Sequence, residues 1–321
     1  MSKYPSSPET IMDFMEMLPD EEAAEAYLSN WRWPDGFECP VCSSRRSCRL
    51  DSVRRWECLD CGRQTSVKAG TVMAHSKIKL RVWLYALWRF GRSKTSISAL
   101  QLQKETGLGS YSTAWALLHK IRRVLNESDE YPLGRGKVEV DETQIGGGQP
   151  GSGRQGRRLG DGGAWLVIAI ERLERHHQGK TIQVSGSARL EVIRATDGDT
   201  LSDFVQRSVA TGSTVVTDGW VGYKELGKLG YRSEVHIQTT PQVTDATLPK
   251  VHLLISNLKA WLLGTFHGVS AKYIWAYCRE FVYRFNRRHR DPNIFGFLAR
   301  RLISRPWTSI PDLVPLPEPS A

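Results

Sequence analysis

The sequence predicts an α/β protein in which a small cysteine-rich module and a helical segment precede a larger domain with a mixed sheet. Four cysteines form two closely spaced pairs between residues 39 and 61. Apolar residues then follow helical spacing, and beyond Gly136 the spacing changes to that of strands before helices return. This order is typical of separate domains along one chain. The predicted segments are residues 8–70, 76–128 and 134–304, followed by a proline-rich tail over residues 305–321.

The composition is that of a globular protein with a basic excess. Its 321 residues are 40% hydrophobic and 24% charged, which is ordinary. The net charge of +10 and the isoelectric point near 9.4 favour contact with the phosphates of nucleic acid. No run of about eighteen apolar residues is present to cross a membrane, and residues 1–5 do not begin a signal-peptide pattern. We therefore expect a cytoplasmic protein with no membrane partner.

The first segment combines two short amphipathic helices, over residues 8–30, with a metal site. Two CxxC pairs follow the helices, and each pair turns tightly enough to aim two thiolates at one ion about 2.3 Å away. In a reducing compartment such thiols hold metal rather than form disulfides. Cys48 and Cys278 lack such a partner and are expected to be ordinary thiols. The sequence thus predicts a zinc ribbon whose structural Zn²⁺ is bound by Cys39, Cys42, Cys58 and Cys61.

The second segment has the layout of a helix-turn-helix. A short helix is predicted over residues 96–107, and a second helix begins near Ser112 after a turn that contains glycine. The second helix of this layout can enter a major groove of DNA. The alternative is a helical linker with no contact to DNA.

The third segment predicts an α/β domain. Alternating and continuous apolar runs predict four strands, and helical patterns follow them. The strands are predicted over residues 137–145, 164–170, 181–195 and 214–217, and the helices over residues 201–209, 251–263, 271–289 and 292–303.

One glycine-rich stretch matches a dinucleotide-binding pattern but is rejected as one. Residues 151–156 read GxGxxG, yet further glycines on both sides prevent a helix from starting where a pyrophosphate would need it. We instead predict a basic loop in which Arg154, Arg157 and Arg158 lie over a substrate backbone.

Two aspartates stand where strands of the third segment end. Asp141 lies near the end of one strand, and Asp218 ends another. Carboxylates at strand ends of one sheet can converge on Mg²⁺ or Mn²⁺, which prefer oxygen ligands. Two such ions, about 3.5 to 4 Å apart, activate an attacking hydroxyl and stabilise the leaving oxygen of a phosphodiester. Each aspartate alone could be a turn former, but the zinc ribbon and the basic charge favour phosphoryl transfer for the pair.

As a set, the motifs resemble one known family, the DDE-type bacterial insertion-sequence transposases that carry an N-terminal zinc ribbon. The resemblance covers about residues 10–300 and implies a ribonuclease-H-like domain that cuts element ends and joins the freed 3′-hydroxyls to target DNA. The motifs that carry it are Phe37-x-Cys-Pro-x-Cys42, Trp56-x-Cys-x-x-Cys61-Gly, Val140-Asp-Glu-Thr143-x-x-Gly-Gly147, Thr217-Asp-Gly-Trp220-x-Gly-Tyr223, the stretch from Ile255 to Gly268, and the stretch from Glu280 to Arg288.

By position, the resemblance implies that Asp141 and Asp218 are the first two members of a catalytic triad. Two candidates remain for the third member. Asn257 stands where this branch of the family places an asparagine, with His252 and Lys259 near it, and it is the favoured candidate. Glu280 is the carboxylate that an ordinary triad requires, and its alternative is a helix residue that pairs with Arg284, four positions further along.

Residues 279–305 contain eight arginines and two acidic residues. Aromatic residues interleave with these arginines, and a guanidinium can bind a phosphate through two hydrogen bonds. The alternative is a solvated charged face. The predicted DNA contacts are three of these arginines and a lysine of the preceding helix, namely Arg284, Arg287, Arg288 and Lys259.

The sequence therefore predicts an insertion-sequence transposase that cleaves DNA and transfers strands with Mg²⁺ or Mn²⁺. Its partners would be double-stranded DNA, as terminal inverted repeats and as target, and further copies of itself on paired ends. We expect it in the bacterial cytoplasm, associated with the nucleoid. Two alternatives remain, namely an inactive domesticated DNA-binding protein and a ribonuclease-H-like nuclease that cuts without joining.

Overall fold

The computed structural model of the chain describes residues 7–93, 95–125, 131–146, 163–236, 248–288 and 293–306. These residues form two compact units. The first contains the described residues up to Leu125 together with residues 293–306, and the second lies within residues 131–288. No helix in these ranges is both long enough and apolar enough to span a bilayer.

The first unit combines helices with a small antiparallel sheet of strand order β1-β2-β3. Its described elements are α1 (Ile11–Met17), α2 (Glu21–Arg32), β1 (Ser47–Leu50), β2 (Arg55–Cys58), β3 (Gln64–Thr65), α3 (Leu80–Arg92), α4 (Ala99–Thr106), α5 (Tyr111–Val124) and α9 (Ile294–Ser304). The side chain of Asp20 accepts the N–H of Ala23 at 2.8 Å, so that α2 begins directly after the break at Pro19. The predicted pair of N-terminal helices is therefore present.

Helix α9 packs within the first unit, against α2 and α3. The ring of Phe295 lies 5.4 Å from the ring of Tyr27 and 6.3 Å from that of Phe14. Gly296 allows a close approach, since a Cβ there would stand 2.7 Å from the ring of Trp31. This helix ends the predicted segment of residues 134–304, yet it completes the apolar core of the N-terminal helices. Helical spacing alone does not disclose which core a helix joins.

The second unit is built on a five-stranded mixed sheet of strand order β6-β5-β4-β7-β8. Its described elements are β4 (Lys137–Gly146), β5 (Gly163–His177), β6 (Lys180–Ile193), α6 (Gly198–Ser208), β7 (Thr214–Thr217), β8 (Arg232–Val235), α7 (Pro249–Phe266) and α8 (Ile274–Asn286). Strand β5 is antiparallel to both β4 and β6, whereas β4, β7 and β8 are parallel. The predicted α/β class and mixed sheet are confirmed.

Alternation along the strands gives the sheet two buried faces. On one face Ile168 and Val216 pack with residues of α7 and α8. On the other face Val138 and Val140 pack with α6 and with the 3-10 segment Val221–Gly227. Because successive side chains of β4 point in opposite directions, Asp141 shares the face that α7 covers.

A buried carboxylate stabilises an irregularity between β5 and β6. The register shifts between Ile170 and Arg172, and Glu171 between them is only 1% exposed. Its carboxylate accepts the N–H groups of Gly134 and Arg135 at 3.1 Å each and lies 2.6 Å from the Arg135 guanidinium. Burial alone would raise the pKa of Glu171, but Arg135 and the backbone donors outweigh it and lower the pKa to about 2.

We expect Glu171→Gln to lower the melting temperature most at neutral pH. A carboxyl whose pKa is lower in the folded state adds stability above its unfolded pKa, near 4.5, and loses that stability as the pH falls through its folded pKa. The difference in melting temperature between the two proteins should therefore shrink between about pH 5 and pH 2. Thermal unfolding across this range measures it, and a difference independent of pH would contradict the assignment.

Candidate active site and zinc centre

Asp141 and Asp218 lie level with each other on neighbouring parallel strands. Glu139 of β4 pairs with Val216 of β7, and the same register two residues later brings Asp141 opposite Asp218, which directly follows β7. Neighbouring strands are about 4.8 Å apart. The structure thus brings together the two aspartates that the sequence singles out, on the face covered by α7.

Backbone donors orient both aspartates. Oδ1 of Asp218 accepts the N–H of Trp220 at 3.0 Å, across the turn at Gly219, whose φ of 86° suits glycine. Oδ1 of Asp141 accepts the N–H of Glu142 at 2.9 Å. In each carboxylate, one oxygen, Oδ1, is therefore held by a backbone hydrogen bond.

The charges at this position favour a cation. Burial raises the pKa of Asp218, the nearby Asp141 raises it further, and the Trp220 N–H and His252 act in the opposite direction. Asp141 lies in the middle of β4, not near its end as the sequence predicted, and only Asp218 follows the end of a strand. Two carboxylates that repel each other on one face of a sheet offer the oxygen donors that Mg²⁺ and Mn²⁺ prefer. The residues present therefore fit a divalent metal.

A third carboxyl, Glu142, lies next to this pair but on the opposite face of the sheet. Its Oε2 accepts a hydrogen bond from the hydroxyl of Tyr223 at 2.7 Å. Burial raises the pKa of Glu142 to about 7, against the effect of the Tyr223 hydroxyl, and Asp141 and Asp218 add to the rise. The sequence offered one signal for this position of Glu142. It directly follows Asp141 in a predicted strand, and the side chains of neighbouring strand residues point to opposite faces of the sheet.

The side chain of His252, on α7, contacts Asp141. Its Nε2 lies 3.2 Å from Oδ2 of Asp141, and both side chains are largely buried, with 17% and 14% exposed. His252 stands in the first turn of α7, three residues after Pro249. From the sequence, His252 is expected only to lie near Asn257.

The two candidates for the third catalytic position lie elsewhere. Asn257 is exposed on α7, and five residues of helix rotate it by about 140° from His252. Glu280 is fully buried on α8, which packs on β6, two strands from β4 in the sheet. Glu280 acts electrostatically on Arg284, four residues along the helix. This interaction is the alternative to a catalytic role that the sequence offered for Glu280.

Two of the predicted basic contacts, Lys259 and Arg288, are exposed, and two, Arg284 and Arg287, are half-buried. Lys259 lies on α7. Burial lowers the pKa of Arg284, which Glu280 partly offsets. The guanidinium of Arg287 lies 3.9 Å from the centre of the Tyr283 ring, and Arg288 donates to the carbonyls of Ser185 and Gly186 in β6. The guanidinium of Arg288 thus ties the end of α8 to the sheet. The predicted contacts Arg154, Arg157 and Arg158 lie outside the described residues.

The four predicted zinc ligands form one cluster. Their sulfur atoms lie within 4.8 Å of one another, with Cys39 3.6 Å from Cys61 and Cys42 3.5 Å from Cys58. A tetrahedral site with bonds of about 2.3 Å has sulfurs about 3.8 Å apart, so the thiols fit one Zn²⁺. The stacked rings of Phe37 and Trp56 lie beside the cluster.

Cys58→Ser should remove about one zinc per chain. The other three thiols cannot complete the tetrahedral shell, and the ribbon would lose the ion that orders it. Metal analysis of both proteins after gel filtration measures the loss. Cys48→Ser is the matched control and should keep its zinc, because Cys48 lies outside the cluster. Unchanged zinc in Cys58→Ser would contradict the assignment of Cys58 as a zinc ligand.

Two matches with known protein families cover the residues of both sites. Residues 19–64 match the transposase zinc-ribbon domain, and residues 134–286 match the ISXO2-like transposase domain. The first match holds the four cysteines, and the second holds the paired aspartates and α7. Fold, sites and matches together place the chain in the class of insertion-sequence transposases. Within that class it carries a transposase zinc ribbon followed by an ISXO2-like transposase domain.

One similar protein is known from Halobacterium salinarum and is described as an uncharacterized protein in transposable element ISH50. It is 33% identical over 137 residues, which are 42% of this chain and 45% of that protein. The chain thus matches less than half the length of this relative.

Proposed function

We propose that the chain cleaves DNA at the ends of its insertion sequence and joins the freed 3′-hydroxyls to target DNA. The observation that carries the proposal is the pairing of Asp141 and Asp218 at one level of two parallel strands, within an ISXO2-like transposase domain. Phosphoryl transfer needs little covalent chemistry from the protein, because positioning and charge stabilisation supply most of the rate.

In this proposal Asp141 and Asp218 hold Mg²⁺ or Mn²⁺. When bound, the metal would activate the attacking hydroxyl and neutralise charge on the phosphodiester. The backbone bonds to one oxygen of each aspartate fix both carboxylates before DNA arrives. Glu142 stays on the opposite face, held by Tyr223.

His252, in place of Asn257 or Glu280, is proposed as the third member of this site. Its Nε2 contacts the Asp141 oxygen that the backbone leaves open. Lys259 lies seven residues after His252, so the two residues are within about 20° of each other around the helix axis. It is exposed and would contact a phosphate of the DNA strand that enters the site.

Binding of the element ends is proposed for the first unit. Helix α4 ends at Gly107 with φ 68°, and the side chain of Ser110 caps α5 by accepting the N–H of Thr113. At the start of α5, Tyr111 is 54% exposed and Ser112 is exposed. A helix presented in this way can place its first turn in a major groove.

The test uses a labelled DNA duplex that ends in the terminal repeat with a free 3′-hydroxyl, together with target DNA and Mg²⁺ or Mn²⁺. Strand transfer gives a joined product of new length on a denaturing gel, and this is the expected result. Cutting without joining would indicate the nuclease alternative, and binding without either product would indicate a domesticated DNA-binding protein. Analytical ultracentrifugation with the same DNA measures whether two ends are held by more than one copy.

A further inference from the structure

We infer that Glu139 is a positioning residue that sets the start and the rotation of α7, so that His252 meets Asp141. This inference rests on the proposed function. Glu139 is fully buried, two residues before Asp141 in β4. Side chains two apart in a strand share a face, so both point toward α7.

Both oxygens of Glu139 have partners. Oε2 accepts the backbone N–H groups of Lys250 at 2.8 Å and of Val251 at 3.0 Å. Oε1 pairs with the guanidinium of Arg172 at 3.1 Å, and Arg172 is itself only 12% exposed. A buried carboxylate in this setting needs such partners, because an unpaired one would be costly.

The sequence of α7 does not provide these bonds itself. The N-cap residue Leu248 makes no side-chain cap, and Pro249 at the first position has no N–H. The orphan donors of Lys250 and Val251 are therefore satisfied from the sheet, by Glu139. A negative charge at a helix N-terminus is also favoured by the helix dipole.

A cap that comes from the sheet controls more than helix stability. The same short stretch of β4 holds Glu139, which binds the first turn of α7, and Asp141, which His252 of that turn contacts. One residue of slippage would rotate the helix by about 100° and carry the imidazole away from Asp141. Glu139 thus couples the position of the helix to the position of the aspartate.

The plain alternative is a buried ion pair that stabilises the fold and nothing more. Glu171 provides a matched control, because it is also buried in this sheet, pairs with an arginine and accepts backbone N–H groups. Its bonds hold residues 134, 135 and 187 rather than α7. A purely structural role predicts that the two glutamates behave alike.

The experiment compares Glu139→Gln with Glu171→Gln and wild type at a temperature where all three are folded. Glu139→Gln is expected to slow strand transfer about 10- to 100-fold, the range found for residues that orient metal ligands. It should also raise the Mn²⁺ concentration for half-maximal rate and leave binding of the element ends unchanged. Glu171→Gln should lower the melting temperature without these changes. Equal rates for wild type and Glu139→Gln would overturn the inference.

A second arm tests whether Glu139 acts through His252. In the double variant Glu139→Gln/His252→Ala, the rate should equal that of His252→Ala alone, whereas independent roles would multiply the two losses and overturn the inference. If Glu139→Gln does not fold, Arg172→Lys replaces it, because lysine keeps the charge but not the planar guanidinium. That variant should lose part of the rate, and a rate equal to wild type would overturn the inference.

Amide hydrogen exchange provides a measurement that needs no activity. The N–H groups of Lys250 and Val251 should exchange much faster in Glu139→Gln than in wild type, while those of the last turn of α7 should not change. If wild type joins no DNA, the proposed function fails, yet exchange still tests the cap. Unchanged exchange at both residues would overturn the positioning role, and the proposed function would stand.

Discussion

Asp141→Asn and Asp218→Asn are each expected to abolish cleavage and strand transfer while binding of element ends stays nearly unchanged. The amide keeps the size of the side chain but removes the charge that holds a divalent cation. The two aspartates lie level on parallel strands and are oriented by backbone N–H groups, so neither can be replaced by a neighbour without a shift of the sheet. We expect a loss of at least ~10²-fold in rate, as for other single catalytic groups.

The control for this pair is Asp197→Asn. Asp197 is exposed and caps α6 by accepting the N–H of Thr200 at 2.9 Å. Its loss should cost at most about 1 kcal/mol of stability and leave the rate unchanged. Strand transfer and gel-shift assays on the same DNA measure all three variants. Near-normal joining by either active-site variant would indicate that both aspartates have only a structural role.

His252→Ala is expected to slow both steps about 10²-fold. The alanine leaves Oδ2 of Asp141 without its contact at 3.2 Å and removes a nitrogen from the site. His252→Gln retains a donor of similar reach and should recover part of the rate. The exposed His177 of β5 provides the control, and His177→Ala should behave as wild type.

The same assay decides among the three candidates for the third position. Asn257→Ala should remain active, since its side chain is exposed on another face of α7. Glu280→Gln should lose stability, because its buried carboxyl would no longer offset the charge of Arg284, but it should remain active below its melting temperature. An inactive Asn257→Ala or Glu280→Gln beside an active His252→Ala would refute our choice.

The kinds of site in this protein could be predicted from local patterns. The CxxC pairs determine the zinc cluster, because two tight turns bring four thiolates to one ion whatever the rest of the chain does. Aspartates next to apolar runs indicate the acidic pair, although Asp141 lies in the middle of β4 and only Asp218 follows the end of its strand. Alternation along residues 137–145 also predicts that Asp141 faces the opposite way from Val140.

Other features depended on packing between distant segments. Helical spacing around residues 251–263 predicts a helix, but it does not tell whether His252 or Asn257 faces the sheet. That choice follows from the bonds that Glu139 makes to the first turn of α7, more than a hundred residues away in the chain. Likewise, the arginine-rich stretch predicts a DNA-binding surface, but it does not tell that Arg288, which is exposed, also binds carbonyl groups of β6.

The sequence by itself therefore determined the kinds of site this chain carries, namely a zinc ribbon and a pair of carboxylates that we propose to bind metal, because both depend on residue type and local spacing. Only the tertiary structure decided that His252 meets Asp141 and that α9 joins the N-terminal helices. The physical reason is that the rotation of a helix about its axis, and the core that it covers, are set by contacts with other elements. An apolar stripe specifies that a helix is buried, but the partner surface decides which of its polar residues reaches the site.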